Sequence, residues 1–263
     1  MSEGPLAGVR VLDLSRVFAG PWATQALADL GAEVIKVERP GRGDDARGLG
    51  PPFLPDQEGK DSAESAFYLS ANRNKKSIAL DLSLPRGQDI IRQFAAISDV
   101  VVENFKVGTL SRYALDYESL RKINPSVVYC SITGFGQTGP YSHRPGYDTL
   151  FQAMGGVMSV TGAADEAPGG GPMKVGIILA DIIDGDVRDD RYFGRTQASR
   201  ADRHRPAYRS IPDGCPGCGP VSSGNVLSDF RREPETIRNL RACSRAEPDV
   251  RMRRRLSRAG GRQ

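Results

Sequence analysis

Apolar and polar positions along the first 63 residues predict a strand, a helix, a second strand and a loop. Short runs rich in valine, isoleucine and leucine occupy residues 9–14 and 33–38, as buried strands do. Between the runs, apolar residues recur at helical spacing from Pro21 to Gly31. Proline is common at the start of a helix, and glycine is common at its end. Residues 40–63 are rich in Gly, Pro and Asp and predict a surface loop. A strand, a helix and a strand in this order predict a βαβ unit with parallel strands.

The same alternation continues through the first half of the chain. Further strands are predicted at 77–82, 99–103 and 127–132, and helices at 85–97 and 116–124. Strands that alternate with helices are typical of a doubly wound α/β sheet. The GxGxxG fingerprint of dinucleotide-binding folds is absent from the sequence. We therefore expect a Rossmann-like fold without that cofactor signature.

Charge divides the chain near residue 185. Residues 1–185 contain 18 Lys and Arg and 22 Asp and Glu, whereas residues 186–263 contain 18 Arg, no Lys and 10 acidic residues. Leu, Ile, Val and Phe number only 11 of the 77 residues from 187 to 263, which is too few to bury a core. We therefore expect one domain at 1–185 and a disordered, Arg-rich tail at 186–263.

Composition also excludes several classes of protein. The N-terminus lacks the basic and apolar regions of a signal peptide, and no apolar run approaches the ~20 residues of a membrane helix. Cys130 is the only cysteine before residue 185, which argues against a disulfide framework. These observations predict a soluble, cytoplasmic protein without a membrane partner.

Polar residues cluster next to several predicted strands. Arg39 follows the second strand, Asn72–Lys76 precede the third, and Asn104 and Arg112 follow the fourth. Parallel sheets bind ligands beyond the carboxyl ends of their strands, and we expect these clusters to share one edge. Several positive charges at one edge would suit a phosphate-bearing ligand. An ordinary solvated surface is the alternative for each residue taken alone.

A carboxylate, Asp181, stands in the middle of the largely apolar stretch Lys174–Gly185, which has a second one, Asp184, near its end. A buried carboxylate is costly unless it is paired or hydrogen-bonded, and a cost of this size is a hint of function. The alternative is a helix cap or a turn that faces solvent. Asp181 is therefore a candidate catalytic residue whose role depends on the rest of the chain.

Eight motifs occur in one order between residues 5 and 185. They are Gly8–Ser15, Ala19–Pro21, Leu30–Pro40, Asn72–Ser77, Val101–Phe105, Gly134–Pro140, Gly146–Asp148 and Leu179–Asp181. Together they resemble the family III CoA transferases, which include formyl-CoA transferase, carnitine-CoA transferase and succinyl-CoA:dicarboxylate transferases, with α-methylacyl-CoA racemase as a relative. The resemblance implies a Rossmann-like, CoA-binding large domain that would be incomplete in this chain, and a homodimer for the full-length protein.

The resemblance also implies a mechanism and a set of site residues. Asp181 would attack an acyl-CoA thioester and form an aspartyl-CoA intermediate, which passes CoA to an acceptor carboxylic acid. The CoA thioester would be a substrate, with no permanently bound cofactor and no metal. The resemblance implies that the thioester end of CoA is lined by Val17, Phe18 and Ala19. It also implies that the pantetheine arm is held by Asn104 and Phe105. The implied nucleotide and phosphate contacts are Arg39, Asn72, Asn74, Lys75 and Arg112.

Two residues depart from individual members of the family. Phe18 stands where formyl-CoA transferase has a glutamine near the thioester, which argues against formate or oxalate as substrate. Tyr147 precedes Asp148 where the racemases have a histidine that moves a proton. A phenol is too weak an acid to exchange protons readily at neutral pH, so the racemase is the less favoured alternative.

The resemblance ends at Gly185. The run 186–194 matches nothing in the family. Codons can be chosen that encode this run and that, when read one base later, encode the helical sequence MYATTAIL. This compatibility suggests a frameshift. A nucleic-acid-binding arm lacks interleaved aromatic residues, and a zinc site at Cys215 and Cys218 lacks two suitably spaced ligands, so neither is favoured. A truncated, inactive product that at most binds CoA is the second functional hypothesis.

Overall fold

The computed structural model of the protein describes residues 4–185, and the expected disordered tail at 186–263 lies outside the described residues. The first elements in chain order are β1 (Arg10–Asp13), α1 (Ala19–Asp29), β2 (Glu33–Glu38), β3 (Phe53–Pro55), β4 (Asp61–Ser65), α2 (Ala66–Asn72) and β5 (Lys75–Ala79). They are followed by α3 (Pro85–Ala96), β6 (Val100–Glu103), α4 (Tyr117–Leu120), β7 (Val128–Ser131), α5 (Asp148–Met154) and α6 (179–185).

Five strands form one parallel sheet in the order β5-β2-β1-β6-β7. β1 lies at its centre, where Leu12 is opposite Ile35 of β2 and Val101 of β6. The strand order reverses between β1 and β6, and the loops that leave these two strands face each other across that crevice. β3 and β4 form a separate antiparallel pair inside the region predicted as a loop. The predicted parallel α/β sheet is confirmed.

Helices cover both faces of the sheet. Val11 of β1 belongs to a buried cluster with Leu27 of α1, whereas the next residue, Leu12, belongs to a second cluster with Ile91 of α3. Successive strand residues point to opposite faces, so a strand that is covered twice must be apolar almost throughout. The doubly wound arrangement therefore explains the continuous apolar runs in the sequence. Among residues 4–185, no helix is long and apolar enough to cross a bilayer.

Several element boundaries differ from the sequence prediction. The third predicted strand, 77–82, lies two residues earlier, as β5, because its hydrogen-bonded register with β2 begins at Lys75 opposite Val34. α4 ends at Leu120, whereas the prediction continued to 124. α2 and α5 were not predicted, since seven residues are too few to show a clear helical period.

Candidate active site

The helix that bears Asp181 is capped by a side chain from another helix. α6 begins at residue 179, and the backbone N–H of Ala180 donates to Oδ1 of Asp148 at 2.8 Å. Asp148 is the first residue of α5 and is buried. The first N–H groups of a helix have no partner within the helix, and a carboxylate is a preferred acceptor for them. Asp148 therefore fixes the start of α6.

Gln152 holds the segment that leads into α6. It lies one turn after Asp148 on α5, and its Nε2 donates to Oδ2 of Asp148 at 2.6 Å and to the Ile177 carbonyl at 3.1 Å. Its Oε1 accepts from the N–H of Val175 at 2.8 Å. Gln152 is 1% exposed, so its amide makes these hydrogen bonds from a buried position. α5 thus holds residues 175–180 through two side chains and positions Asp181.

Asp181 has a carboxyl group with a raised pKa. Burial, together with the nearby carboxylates of Asp148 and Asp184, raises its pKa from 3.8 to about 7. Burial and like charge both disfavour the ionised form, so the carboxylate that does form is poorly solvated and reactive. Within residues 4–185, no group of three or more His, Cys, Asp or Glu side chains is arranged to hold a metal ion.

α6 packs against the start of α1. A Cβ atom added at Gly185 would lie 2.7 Å from Cδ1 of Trp22 and 3.2 Å from the carbonyl oxygen of Ala19. Gly185 is four residues after Asp181, so the two residues share one face of α6. The close approach that glycine permits packs the end of α6 against the start of α1, which directly follows the Val17–Phe18 loop. These parts of the site were inferred separately from the sequence.

The loop between β1 and α1 has an unusual backbone. Val17 has a φ of 68°, a value that β-branched residues rarely adopt. Phe18 is 5% exposed and packs against Trp22 and Phe67, with ring centroids 5.4 Å and 4.9 Å apart. Phe18 is therefore packed among aromatic rings and supplies no polar group at the expected thioester end.

Asn104, in the loop after β6, forms hydrogen bonds with the loop after β1 on the other side of the crevice. Its Oδ1 accepts from the N–H of Arg16 at 2.9 Å, and its Nδ2 donates to the Arg16 carbonyl at 2.7 Å. The Arg16 guanidinium lies over the Phe105 ring, 5.1 Å from its centroid. The amide of Asn104 thus joins the loops after β1 and β6. This arrangement supports a role in holding the loop, and the pantetheine contacts of Asn104 and Phe105 stay predictions.

The expected phosphate contacts do not all lie at one edge. β5 runs parallel to β2, so Asn72–Lys76 lie at the amino end of a strand, at the opposite edge from Arg39. A cluster before a parallel strand begins at the opposite edge from one that follows its neighbour, so the backbone of Asn72–Lys76 lies away from Arg39. The Lys75 ammonium nevertheless reaches Asp13 at the carboxyl end of β1. Arg112 follows β6 in a short 3-10 turn and is exposed.

Lys75 and Asn72 form part of a buried network. The Lys75 ammonium donates to Asp13 at 3.1 Å, to the Asn72 side chain at 3.0 Å and to the Pro21 carbonyl at 2.8 Å. Burial lowers the pKa of Lys75 to about 8. With all three donors used and the side chain 2% exposed, the geometry favours a structural role over contact with a phosphate.

The other two expected phosphate contacts have carboxylate partners. Arg39 forms an ion pair with Asp45, and the side-chain amide of Asn74 donates to Asp29 at 2.7 Å. Both groups lie nearer the surface than Lys75, so a ligand phosphate could compete with the carboxylate for either of them. The structure therefore leaves these two predictions open.

Sequence reasoning missed the residues that support the site. Lys36 and Asp44 form a buried ion pair at 2.8 Å, and Gln152 fixes the approach to α6. Lys36 gave one signal, since it is a charged residue between the apolar residues of the strand 33–38. Asp44 and Gln152 gave none, because their partners lie far away in the sequence.

Comparisons with known proteins agree with this geometry. The described fold is similar to the crystal structure of a CAIB/BAIF family protein from Brucella suis, with a TM-score of 0.77 and 40% identity over 94% of this chain and 60% of that one. The succinate–glutarate CoA-transferase of Agrobacterium fabrum is 54% identical over 181 residues, 69% of this chain and 44% of that protein. The succinyl-CoA:glutarate CoA-transferase of Mus musculus is 55% identical over 184 residues, 70% of this chain and 40% of that protein.

The chain thus spans less than half of the length of these two curated relatives. The sequence profile of CoA-transferase family III matches residues 6–187, which include both the crevice between β1 and β6 and the capped helix of Asp181. The resemblance seen in the motifs and the parallel α/β fold agree with this match. The chain therefore belongs to CoA-transferase family III.

Proposed function

We propose that residues 6–187 form the acyl-CoA-binding part of a CoA transferase and supply its nucleophile, Asp181. The proposal rests on the surroundings of the Asp181 carboxylate in the structure. This carboxylate follows a capped helix start, it is largely withdrawn from water, and its pKa is raised to about 7 by burial and by Asp148 and Asp184. A poorly solvated carboxylate that can ionise near neutral pH suits attack on a thioester.

The chemistry would proceed through carboxylate substitution at acyl carbons. Asp181 attacks the thioester carbonyl, the carbon–sulfur bond breaks, and a mixed anhydride and CoA thiolate form. The thiolate then attacks the aspartyl carbonyl of the anhydride, which releases the donor acid as its carboxylate and leaves an aspartyl-CoA thioester. An acceptor carboxylate attacks this thioester, and the released thiolate attacks the new acyl group, which restores Asp181. Each step exchanges one acyl bond for another, so no oxidant or reductant is needed.

A dicarboxylic acid of the size of succinate or glutarate is the proposed substrate class. Two relatives at 54% and 55% identity are named for succinate or succinyl-CoA and glutarate. Phe18, buried between aromatic rings, stands where the resemblance places a glutamine in formyl-CoA transferase, which argues against formate or oxalate. Tyr147 is 74% exposed and offers no imidazole for proton transfer at an α-carbon, which favours transfer over racemisation.

We also propose that the complete protein is a homodimer. Several apolar residues from α5 onward expose more than a third of their surface in the single chain. They are Leu150, Met154, Val160, Met173, Ile177 and Ile183. A cluster of this kind is typical of surfaces that another segment or subunit covers. Size-exclusion chromatography of the chain tests this, with a dimer expected for an assembled enzyme and a monomer or aggregate for an isolated part.

Trapping the covalent intermediate tests the proposed transferase. Two proteins are compared, the 263-residue chain and a chain in which the residues after 185 are read in the shifted frame. Incubated with succinyl-CoA and no acceptor, the second should gain CoA on the peptide that holds Asp181, and hydroxylamine should remove it. Asp181→Ala should lose this adduct and lower kcat on the order of 10⁴-fold or more, with CoA binding kept.

The same experiment separates transfer from simple CoA binding. We expect the 263-residue chain to bind CoA without forming an adduct, because the resemblance places further catalytic structure beyond residue 185. An adduct on Asp148 or Asp184, or turnover by Asp181→Ala at a rate comparable with wild type, would refute the assignment of the nucleophile. Absence of CoA binding by both proteins would refute the proposed function as a whole.

A further inference from the structure

The loop after β1 holds a strained residue beside the proposed thioester site. Val17 has a φ of 68°, in the left-handed region that glycine adopts freely and β-branched residues avoid. Strained residues of this kind persist only where the surrounding structure fixes them, and they are frequent at ligand-binding sites. The hydrogen bonds around the loop show what fixes Val17.

Asp44 holds the strained peptide directly. Its Oδ1 accepts from the N–H of Val17 at 3.0 Å and from the N–H of Ala46 at 2.9 Å. Its Oδ2 lies 2.8 Å from the ammonium nitrogen of Lys36. Both side chains of this pair are 1% exposed, so the acceptor of the Val17 hydrogen bond is itself buried.

Lys36 holds the other end of the same turn. Its ammonium group donates to the Ser15 carbonyl at 3.0 Å while it pairs with Asp44. Asn104 fixes the residue between them, since its amide bonds both the N–H and the carbonyl of Arg16. Three consecutive residues, 15–17, are therefore each tied by a side chain from β2, from the loop after β2 or from the loop after β6.

We propose that Lys36 and Asp44 are positioning residues of the acyl-CoA site, which hold the Val17 peptide in its strained conformation so that the Val17–Ala19 segment is formed before acyl-CoA arrives. The inference rests on the proposed function, because that function makes this segment the thioester end. Neither side chain touches the ligand, since both are buried beneath the loop.

The physical consequence is a change in the population of the binding-competent loop. Without the acceptor on its N–H, Val17 would relax towards ordinary φ values, and the strained form would become a minor state. Apparent affinity falls in proportion to the competent fraction. For strain of this kind we expect Kd for CoA to rise about tenfold.

The test compares two double variants of the full chain. Lys36→Met with Asp44→Ala removes both buried charges and the acceptor, whereas Lys36→Met with Asp44→Asn removes the same charges and keeps an oxygen for Val17. Removing both partners leaves no unpaired buried charge, so both variants are expected to fold. Hydrogen exchange of the Val17 amide should be faster in the alanine variant than in the asparagine variant. Kd for CoA should rise about tenfold in the alanine variant and by less in the asparagine variant, which has lost only the Lys36 hydrogen bond to Ser15.

Val17→Gly distinguishes a positioning role from a purely structural one, because only a positioning role predicts that this substitution changes Kd for CoA. Added to the alanine double variant, Val17→Gly should lower Kd for CoA below that of the double variant alone, because glycine adopts positive φ without help. The melting temperature should stay low, since the buried pair is still missing. Failure of glycine to lower Kd for CoA, or equal exchange of the Val17 amide in both double variants, would overturn the proposal.

Asp56→Ala is the matched control. Asp56 also accepts two backbone N–H groups, from Glu58 and Lys60 at 2.9 Å each, but in the β3–β4 connection. It should leave Val17 exchange and CoA affinity unchanged. If wild type binds no CoA, the proposed function fails, and the exchange contrast between the two double variants still decides whether Asp44 holds Val17.

Discussion

The Asp148 carboxylate accepts a hydrogen bond from the backbone N–H of Ala180, with 2.8 Å between Oδ1 and the nitrogen. The next residue is Asp181, whose pKa the same carboxylate raises by its charge. One side chain thus fixes the helix start and adjusts the proton affinity of the candidate nucleophile. The two effects can be separated experimentally, because the first needs an oxygen and the second needs a charge.

Asp148→Asn should shift the pH dependence of Asp181. Asparagine keeps an oxygen for the Ala180 N–H but removes the like charge, so the pKa of Asp181 should fall below about 7. The rate of adduct formation with an acyl-CoA, which needs the ionised carboxylate, should then reach half its maximum at a lower pH. The exposed carboxylate Asp165 provides the control, since Asp165→Asn should leave the midpoint unchanged. An unchanged midpoint in Asp148→Asn would contradict the electrostatic role.

Asp181→Asn should make the chain more stable above neutral pH. The pKa of Asp181 is about 7 in the folded chain against an ordinary 3.8, so between these values the folded chain keeps a proton that the unfolded chain has lost. Stability of wild type therefore falls as pH rises through this window, and the loss is complete above about pH 7. The advantage of Asp181→Asn should grow across the window to at most about 4 kcal/mol. Urea unfolding at about pH 5 and about pH 8 measures it, and an equal margin at both would contradict the shift.

Gly185→Ala should disturb the contact between α6 and α1. A Cβ there would lie 2.7 Å from Cδ1 of Trp22, so α6 or the indole must move, at a cost of roughly 1–3 kcal/mol. Trp22 is the single tryptophan of the chain, and its fluorescence reports the change directly. Gly176→Ala is the control, because nothing lies within 4 Å of a Cβ at that position. Without the contact, alanine should instead stabilise the helix by about 1 kcal/mol, so a stabilised Gly185→Ala protein would argue against it.

Substitution of Lys75 should mainly lower the melting temperature, whereas substitution of Arg112 should mainly weaken CoA binding. Lys75→Met should lower the melting temperature, because it leaves Asp13 buried without its ion pair at 3.1 Å, and should change Kd for CoA little in the folded protein. Arg112 is exposed, and Arg112→Ala should weaken CoA binding by roughly 1–3 kcal/mol without lowering the melting temperature. Calorimetric titration and thermal unfolding of both variants decide this. A large loss of CoA affinity in folded Lys75→Met would restore the phosphate role inferred from the sequence.

The local pattern of apolar and polar residues was sufficient to predict most strands of the sheet. Apolar runs at 9–14 and 33–38, with a helical segment between them, predicted β1, α1 and β2, because burial on both faces leaves a continuous apolar signature in each strand. The short helices α2 and α5 left no such signature, and α5 carries Asp148 and Gln152. Asp148 was visible in a family motif, but the helix that lets Asp148 and Gln152 position Asp181 was not visible in the pattern.

The sequence by itself determined the alternation of strands and helices, the family motifs and the identity of Asp181 as the candidate nucleophile. Only the tertiary structure decided that Lys36 and Lys75 point inward, that Asn104 bonds Arg16, and that Asp148 caps the helix of Asp181. Periodicity records which face of an element is apolar, but the partner of a polar group is chosen when distant segments meet. Arg16 and Asn104 are 88 residues apart, and Asp148 and Ala180 are 32 apart, so no local pattern joins them.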